Sequence, residues 1–381
     1  MLLCRCGCNV SFRNLHLPIH TLEITNVRNL QRAKLECSQQ CNLIVGPNGS
    51  GKTSLLESIV ILSQGKSFRN SQKKSIIFEG NTNLTVTALL QDGVFDQSVQ
   101  DTRVGISKFS NGKTLAKIAS EKVQRISEIA SLLPVCVIEP NSTEIIEGSP
   151  GLRRQVLDWG VFHVEHEFVK HWRIFSSALK QRNALLKNKR SDFSQLKYWD
   201  ELIAPAAEEI TKLRRRYFDD LAEELQSSLE YFFEDGLVSV EVKDGWDSNT
   251  SYLECLNSNI DKDQRYGFTS AGPHKADFEI RSDGHLAKDY LSRGQKKLAV
   301  YAIRLAQVSH YQKRTGKKVS LLLDDLPSEL DKSNCEKVCK RIRRLGCQVF
   351  ITSIDTSNLN NMIIDALSPK LFHVKHGTVT A

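Results

Sequence analysis

Leu43-Ile44-Val45-Gly46-Pro47-Asn48-Gly49-Ser50-Gly51-Lys52-Thr53-Ser54-Leu55-Leu56 is the stretch on which the reading of the chain turns. Leu43-Ile44-Val45 is uninterrupted apolar sequence and predicts a buried strand, whereas Thr53-Ser54-Leu55-Leu56-Glu57 predicts the opening of a helix. Between them stands G-x-x-x-x-G-K-T, the pattern of a phosphate-binding loop. Glycines let the backbone curl until successive N–H groups face one anion, and the helix N-terminus adds partial positive charge. Gly46, Pro47, Asn48, Gly49, Ser50, Gly51, Lys52 and Thr53 are thus the candidate triphosphate ligands. Lys52 suits the β- and γ-phosphate oxygens, and the Thr53 hydroxyl suits a Mg²⁺ ion. The alternative is a Gly-rich turn that binds nothing. The strand before and the helix after weigh against it.

The bulk numbers exclude several classes. At 381 residues the chain is one large domain or two closely joined ones. Its 40% hydrophobic and 25% charged residues are ordinary for a soluble globular protein. No apolar run reaches the ~18–20 residues that span a bilayer. Arg5 interrupts Met1-Leu2-Leu3-Cys4 before a signal-peptide core can form. A cytoplasmic protein is expected, and its ten cysteines read as reduced thiols. The net charge of +8 permits a polyanionic partner without demanding one.

Residues 1–20 carry Cys4, Cys6 and Cys8 at alternate positions rather than at the C-x₂-C spacing of a metal site. They read as an unstructured extension or a start placed too far upstream. Residues 21–140 are assigned to the first part of an ATPase head. Strands are expected at 22–25, 35–37 and 41–45, and an antiparallel β-lobe over 75–115, punctuated by Asp92-Gly93 and Asn111-Gly112. A helix over 116–133 and a strand at 135–138 follow. Residues 141–236 have apolar side chains at helical spacing, Val156, Trp159 and Phe162 among them, and are assigned to a helical arm. Residues 237–381 are assigned back to the head. They hold strands at 238–242 and 278–280, a helix from Gly294 to about Gln312, the continuous apolar strand 319–323, a helix over 333–345, a strand at 348–352 and a final hairpin at 370–379. The fold class is α/β, mixed sheets with flanking helices plus a helical arm.

Three further stretches carry chemistry. Val319-Ser320-Leu321-Leu322-Leu323-Asp324-Asp325 is a buried strand ending in two carboxylates. Beside a phosphate loop, Asp324 can hold the Mg²⁺ shell and Asp325 can polarise an attacking water; alone, the pair reads equally as a solvated turn. Leu291-Ser292-Arg293-Gly294-Gln295 precedes a long helix, where serine and glycine suit an anion, or where Ser292 simply caps the helix. Gly272-Pro273-His274-Lys275 approaches nucleotide or DNA, or is only a turn. Cys335 and Cys339, four apart on a helix, read as small core residues, and Trp159 and Phe162 as core packing.

Phosphate loop, L-S-x-G-Q, an apolar strand ending in Asp-Asp, and Ser328-Glu329-Leu330-Asp331, in that order, resemble an ABC-type ATPase. The resemblance implies that Ser292, Arg293, Gly294 and Gln295 contact a γ-phosphate held by the opposite subunit, so that ATP glues a homodimer together. It also implies that the turn holding Ser328 and Asp331 lets each subunit sense the other's nucleotide. The 240 residues from Lys52 to Ser292 exceed the interval in a transporter ATPase, and no heptad arm intervenes.

Arg28-Asn29, Lys66-Ser67-Phe68-Arg69, Arg153-Arg154 with Leu157-Asp158-Trp159-Gly160, Leu179-Lys180-Gln181-Arg182-Asn183 and Gly272-Pro273-His274-Lys275-Ala276-Asp277 narrow the match. With the loop and signature they resemble the RecF family of bacterial recombination mediators, of the SMC/Rad50-like group, from about Leu22 to Gly377. The resemblance implies an ATP- and Mg²⁺-dependent DNA-binding protein that dimerises on DNA at single-strand gaps and junctions. It implies work with RecR and RecO to load RecA onto SSB-coated strands, support of the SOS response, and weak ATP hydrolysis as a switch. Asp325 stands where ABC enzymes usually have Glu, which predicts slow turnover, and Pro327 stiffens the turn before Ser328. Lys180, Arg182, Lys187, Lys189, Arg190, Arg214, Arg215 and Arg216 are the candidate DNA-phosphate contacts. A solvated helix face accounts for each equally well. A scaffold whose ATP site mainly holds shape is the competing function.

Overall fold

The computed structural model describes residues 18–69, 76–91, 101–188, 194–233, 238–326, 330–354 and 358–380. Cys4, Cys6, Cys8, the Asp92-Gly93 turn, Lys189, Arg190, Pro327 and Ser328 lie outside the described residues. Two compact units divide the chain, Met1–Pro140 with Tyr311–Ala381, and Asn141–His310.

The first unit begins with β1 (Ile19–Val27), β2 (Leu30–Glu36), β3 (Cys41–Val45) and α1 (Lys52–Gln64). β4 (Asn83–Leu90), β5 (Thr102–Phe109), β6 (Thr114–Ile118), β7 (Glu121–Val123), α2 (Ile126–Leu132) and β8 (Val135–Ile138) follow. The second unit holds α3 (Glu144–Glu147), α4 (Pro150–Val164), α5 (Phe168–Lys187), α6 (Ser194–Phe232), β9 (Val238–Lys243), α7 (Tyr252–Ser258), α8 (Ile260–Tyr266), β10 (Asp277–Ser282), β11 (His285–Leu286) and α9 (Ala287–Tyr290). After α10 (Arg293–Thr315) the chain adds β12 (Ser320–Leu323), α11 (Lys332–Leu345), β13 (Gln348–Ser353), α12 (Asn358–Leu367), β14 (Lys370–Lys375) and β15 (Thr378–Thr380). Among the described residues no helix is long and apolar enough to cross a membrane.

Every residue of β3, β12 and β13 is buried, the pattern of strands covered on both faces. They sit in one sheet of order β15-β14-β3-β13-β12-β8, parallel from β14 to β8. β4 alternates half-buried with buried positions throughout, and β1 does so from Thr21 to Thr25; both belong to an antiparallel sheet of order β2-β1-β4-β5-β6-β7. Between the two sheets α1 buries Leu55, Leu56, Ile59, Val60 and Leu62, sharing one core with Leu22, Ile24 and Val86 on one side and Ile44 and Phe350 on the other. A helix buried on nearly every side needs such cover. It ends at Gly65, left-handed at φ 70, whose N–H bonds Ile61 O at 2.8 Å.

Three expectations change. The helix expected over 116–133 is a hairpin followed by a short helix. β6 and β7 pair around Ala119 (φ 49) and Ser120 (φ 72), both left-handed as a tight two-residue turn requires. Leu115, Ile118, Ile126 and Ile129 have helical spacing, but cross-strand pairing of β6 with β5 buries Ala116 instead. The β-lobe expected over 75–115 starts earlier, because β1 and β2 pair into it, while Ile77 makes only an isolated bridge to Val27. Residues 237–310 do not group with the phosphate-loop unit: β9 and β10 pair with each other and with β11 in a separate sheet. Arg153 of α4 then clamps Asp277 of β10 at 2.7 and 3.0 Å.

Candidate nucleotide site

Backbone geometry explains the glycines of the phosphate loop. A Cβ on Gly46 would lie 2.1 Å from Val374 O, so only glycine lets the loop pass β14. Gly51, at φ 120, lies where L-residues are strained, and a Cβ there would meet Leu30 Cδ2 at 2.7 Å. Asn29 fastens the loop from outside. Its Nδ2 donates to Gly49 O at 2.9 Å, and its Oδ1 accepts from Ser54 Oγ at 2.8 Å. The first helical bond runs from Leu55 N to Gly51 O at 3.0 Å, so the amides opening α1 have no partner within the helix. They are the donors an anion takes.

Lys52 Nζ donates to Gly46 O at 2.6 Å and Pro47 O at 3.0 Å. Burial lowers its pKa, and the charges of Asp325 and Asp324 counter that. An ammonium already curled over the loop can exchange these carbonyls for phosphate oxygens.

β12 delivers Asp324 to the same place. Thr53 Oγ1 donates to Asp324 Oδ1 at 3.0 Å, and Thr352 Oγ1, from β13, donates to the same oxygen at 2.7 Å. Burial raises the Asp324 pKa, and the bonds from Thr352 and Thr53 pull it back. Asp325 sits at φ 58, and its N–H donates to Thr352 Oγ1 at 2.8 Å. A hydroxyl and a carboxylate oxygen 3.0 Å apart at the mouth of an anion-binding loop are the hard donors that suit Mg²⁺. The residues fit that ion. They edge a cleft of about 520 Å³, lined also by Arg28, Asn48, Arg69 and Ile354. Glu57 holds Arg28 through two bonds of 3.0 and 2.8 Å, and also accepts from the Ser67 hydroxyl.

Sequence reasoning missed Thr352 and gave no role to Asn29, Arg28 or Arg69. A polar residue closing the apolar run Val349-Phe350-Ile351, beside a strand ending in acids, is the signal for Thr352.

Ser292 and Gln295 form a reciprocal cap on α10: Gln295 N donates to Ser292 Oγ at 3.3 Å and Ser292 N to Gln295 Oε1 at 2.9 Å. Ser292, Arg293, Gly294 and Gln295 are all exposed, and a Cβ on Gly294 would meet nothing within 4 Å. Asp331 caps α11, accepting from Asn334 N at 2.9 Å, and that bond first of all lowers its pKa.

The basic residues separate into two groups. Arg182 and Arg214 cannot meet DNA, because they are buried. Arg182 bonds Asp200 at 2.6 Å, and Asp263 and Thr269 at 2.7 and 2.8 Å. Arg214 takes Asp158 through two bonds of 2.8 and 2.9 Å and Pro273 O at 2.7 Å. Arginine buried among carboxylates is a tie between elements, not a surface charge. Lys180 and Lys187 are exposed, as are Arg215, paired with Asp244, and Arg216, paired with Glu165. Gly272-Pro273-His274-Lys275 is a packed turn: His274 Nε2 bonds Thr269 O at 3.0 Å, and burial pushes its pKa down to about 4. Cys335 and Cys339 are buried.

The family model for the RecF/RecN/SMC N-terminal domain matches residues 18–380. The DNA replication and repair protein RecF of Idiomarina loihiensis is 41% identical over 95% of this chain and 99% of its own. The chain belongs to the RecF family. A solved structure of the recombination mediator protein RecF with ATP, in the RecFOR pathway, has a TM-score of 0.82 and 27% identity, covering 96% of this chain and 99% of its own. An Smc head bound to the C-terminal winged-helix domain of ScpA shares the fold at a TM-score of 0.57 and 16% identity, over 95% of this chain and 96% of its own. The mixed α/β ABC-type head with long helices expected from the sequence is thus the RecF and SMC head fold.

Proposed function

We propose that this RecF-family chain binds ATP with Mg²⁺ in the phosphate-loop cleft and acts in recombinational DNA repair as an ATP-controlled dimer. The meeting of Thr53, Asp324 and Thr352 at the mouth of the loop carries the reading. Bound Mg²⁺ would supply charge neutralisation on the β- and γ-phosphates. Thr53 and Asp324 hold that ion, Lys52 and the amides of α1 hold the phosphates, and Asp325 orients water for hydrolysis. Turnover is slow, since Asp325 reaches one methylene less far than Glu. ATP then sets the lifetime of the dimer.

Ser292, Arg293, Gly294 and Gln295 of one copy complete the site of another. Their exposure at the start of α10 supports this, as does the near full-length likeness to an ATP-bound RecF. The turn at Ser328 and Asp331 reports the partner's nucleotide. The dimer works in the cytoplasm on DNA at single-strand gaps, with RecR and RecO, to load RecA onto SSB-coated strands and support the SOS response. Lys180, Lys187, Lys189, Arg190, Arg215 and Arg216 are the remaining candidates for phosphate contacts. Sizing the protein with ATP, ADP or neither, with and without gapped DNA, tests the reading: dimers should need ATP, and a nucleotide-independent size sinks it.

A further inference from the structure

The second unit presents two aromatic rings to water, away from any role given above. α8 ends at Tyr266, Gly267 turns the chain at φ 73, and Phe268 follows. The turn brings both rings together, with centroids 5.8 Å apart and planes 18° apart. Tyr266 is 55% exposed and Phe268 40%. Single exposed apolar residues are ordinary; a stacked and exposed pair is a preformed aromatic surface.

Cations surround it. Lys275 Nζ stands 5.0 Å from the centre of the Phe268 ring. Lys187 lies against Gly267, where a Cβ would come 3.7 Å from Lys187 Cγ. Lys262 and Arg265 are exposed on α8. Of the two acids on that helix, Asp263 is buried and taken by Arg182 and the Ser270 amide, which leaves Asp261 as the exposed one. The patch is positive, and its rim is lysine and arginine rather than aliphatic. Those are the terms of a nucleic-acid strand, and half-exposed aromatic rings suit bases that are not already stacked in a duplex.

We propose that Tyr266 and Phe268 form a stacking platform for unpaired bases of single-stranded nucleic acid, with Lys275 and Lys187 on the adjoining phosphates. The proposal rests on the DNA-binding reading and adds to it which chain feature tells single strand from duplex.

The test uses the full chain with ATP and Mg²⁺, and compares by fluorescence anisotropy a blunt duplex with the same duplex bearing an oligo-dT tail. Tyr266→Ala with Phe268→Ala should weaken tailed-duplex binding by about tenfold or more and leave blunt-duplex binding within about twofold. Phe268→Leu, which keeps apolar volume without a π-face, should lose tail binding with an unchanged melting temperature, and Phe268→Trp should keep it. Tail binding unchanged in the Ala and Leu variants overturns the platform. Equal losses on both DNAs in Phe268→Leu also overturn it, in favour of a general DNA surface. A wild-type chain that binds neither DNA defeats the DNA-binding reading itself, a different result.

Discussion

Thr352 holds Asp324: its Oγ1 donates to Asp324 Oδ1 at 2.7 Å while accepting from the Asp325 amide at 2.8 Å. One hydroxyl on β13 therefore holds the Asp324 carboxylate and the Asp325 backbone that follows it. Thr352→Val keeps the shape but removes one of the two bonds to Asp324 Oδ1, leaving that from Thr53, and the acceptor of the Asp325 amide, at a cost of about 1–3 kcal/mol. ATP turnover should fall about tenfold or more, and Thr352→Ser should restore it. The pH profile adds a sign. Burial raises the Asp324 pKa and the Thr352 bond lowers it, so removing the bond should move the acid limb of the turnover profile to higher pH. An unmoved acid limb would show that Thr352 does not act through Asp324.

The proposed composite site gives a paired test. Lys52→Met removes the loop's ammonium, and Ser292→Arg fills the signature proposed to meet another copy's nucleotide. Sedimentation should show ATP-dependent dimers lost in both. ATP binding by the monomer, followed with a fluorescent analogue, should weaken in Lys52→Met and remain in Ser292→Arg. Dimers that survive Ser292→Arg would count against a site shared between two copies.

The strands around the loop were legible because burial on both faces writes itself as an unbroken apolar run, as in Leu43-Ile44-Val45 and Leu321-Leu322-Leu323. The loop was legible because its ligands are contiguous. The buried arginines were not legible because their partners are non-local. Arg182 looks like one more charge on a basic helix until Asp200 and Asp263, 18 and 81 residues away, close around it. Arg214 is hidden in the same way by Asp158, 56 residues back. The hairpin at 114–123 was missed because its turn uses Ala119 and Ser120 rather than the Asn-Gly that announces such turns.

Those buried arginines give a prediction with opposite outcomes for neighbours on one helix. Arg182→Met leaves Asp200 and Asp263 without their cation and should destabilise the second unit by about 3–5 kcal/mol. All four tryptophans lie in that unit, so their fluorescence in a denaturant titration reports it directly. Lys180→Ala and Lys187→Ala, both on exposed positions, should shift the midpoint little and instead reduce the salt dependence of DNA binding. A stable Arg182→Met would mean that the network is dispensable.

His274 makes the second unit sensitive to acid, with a direction that can be worked out. Burial lowers its pKa from 6.5 to about 4, so the folded chain keeps the ring neutral where the unfolded chain protonates it. Its Nε2 bonds Thr269 O at 3.0 Å and Phe175 packs at 5.8 Å, a setting that offers no acceptor to a second ring proton. Stability from this group is complete above pH 6.5 and is lost as pH falls toward about 4, at up to about 1.4 kcal/mol per pH unit. His274→Gln, which can still donate to Thr269 O, should remove that slope. The measurement is the difference in tryptophan-detected unfolding free energy between the two proteins at pH 7, 6 and 5. The wild type should lose its advantage progressively as pH falls, and a constant difference would show that His274 takes up no proton on unfolding.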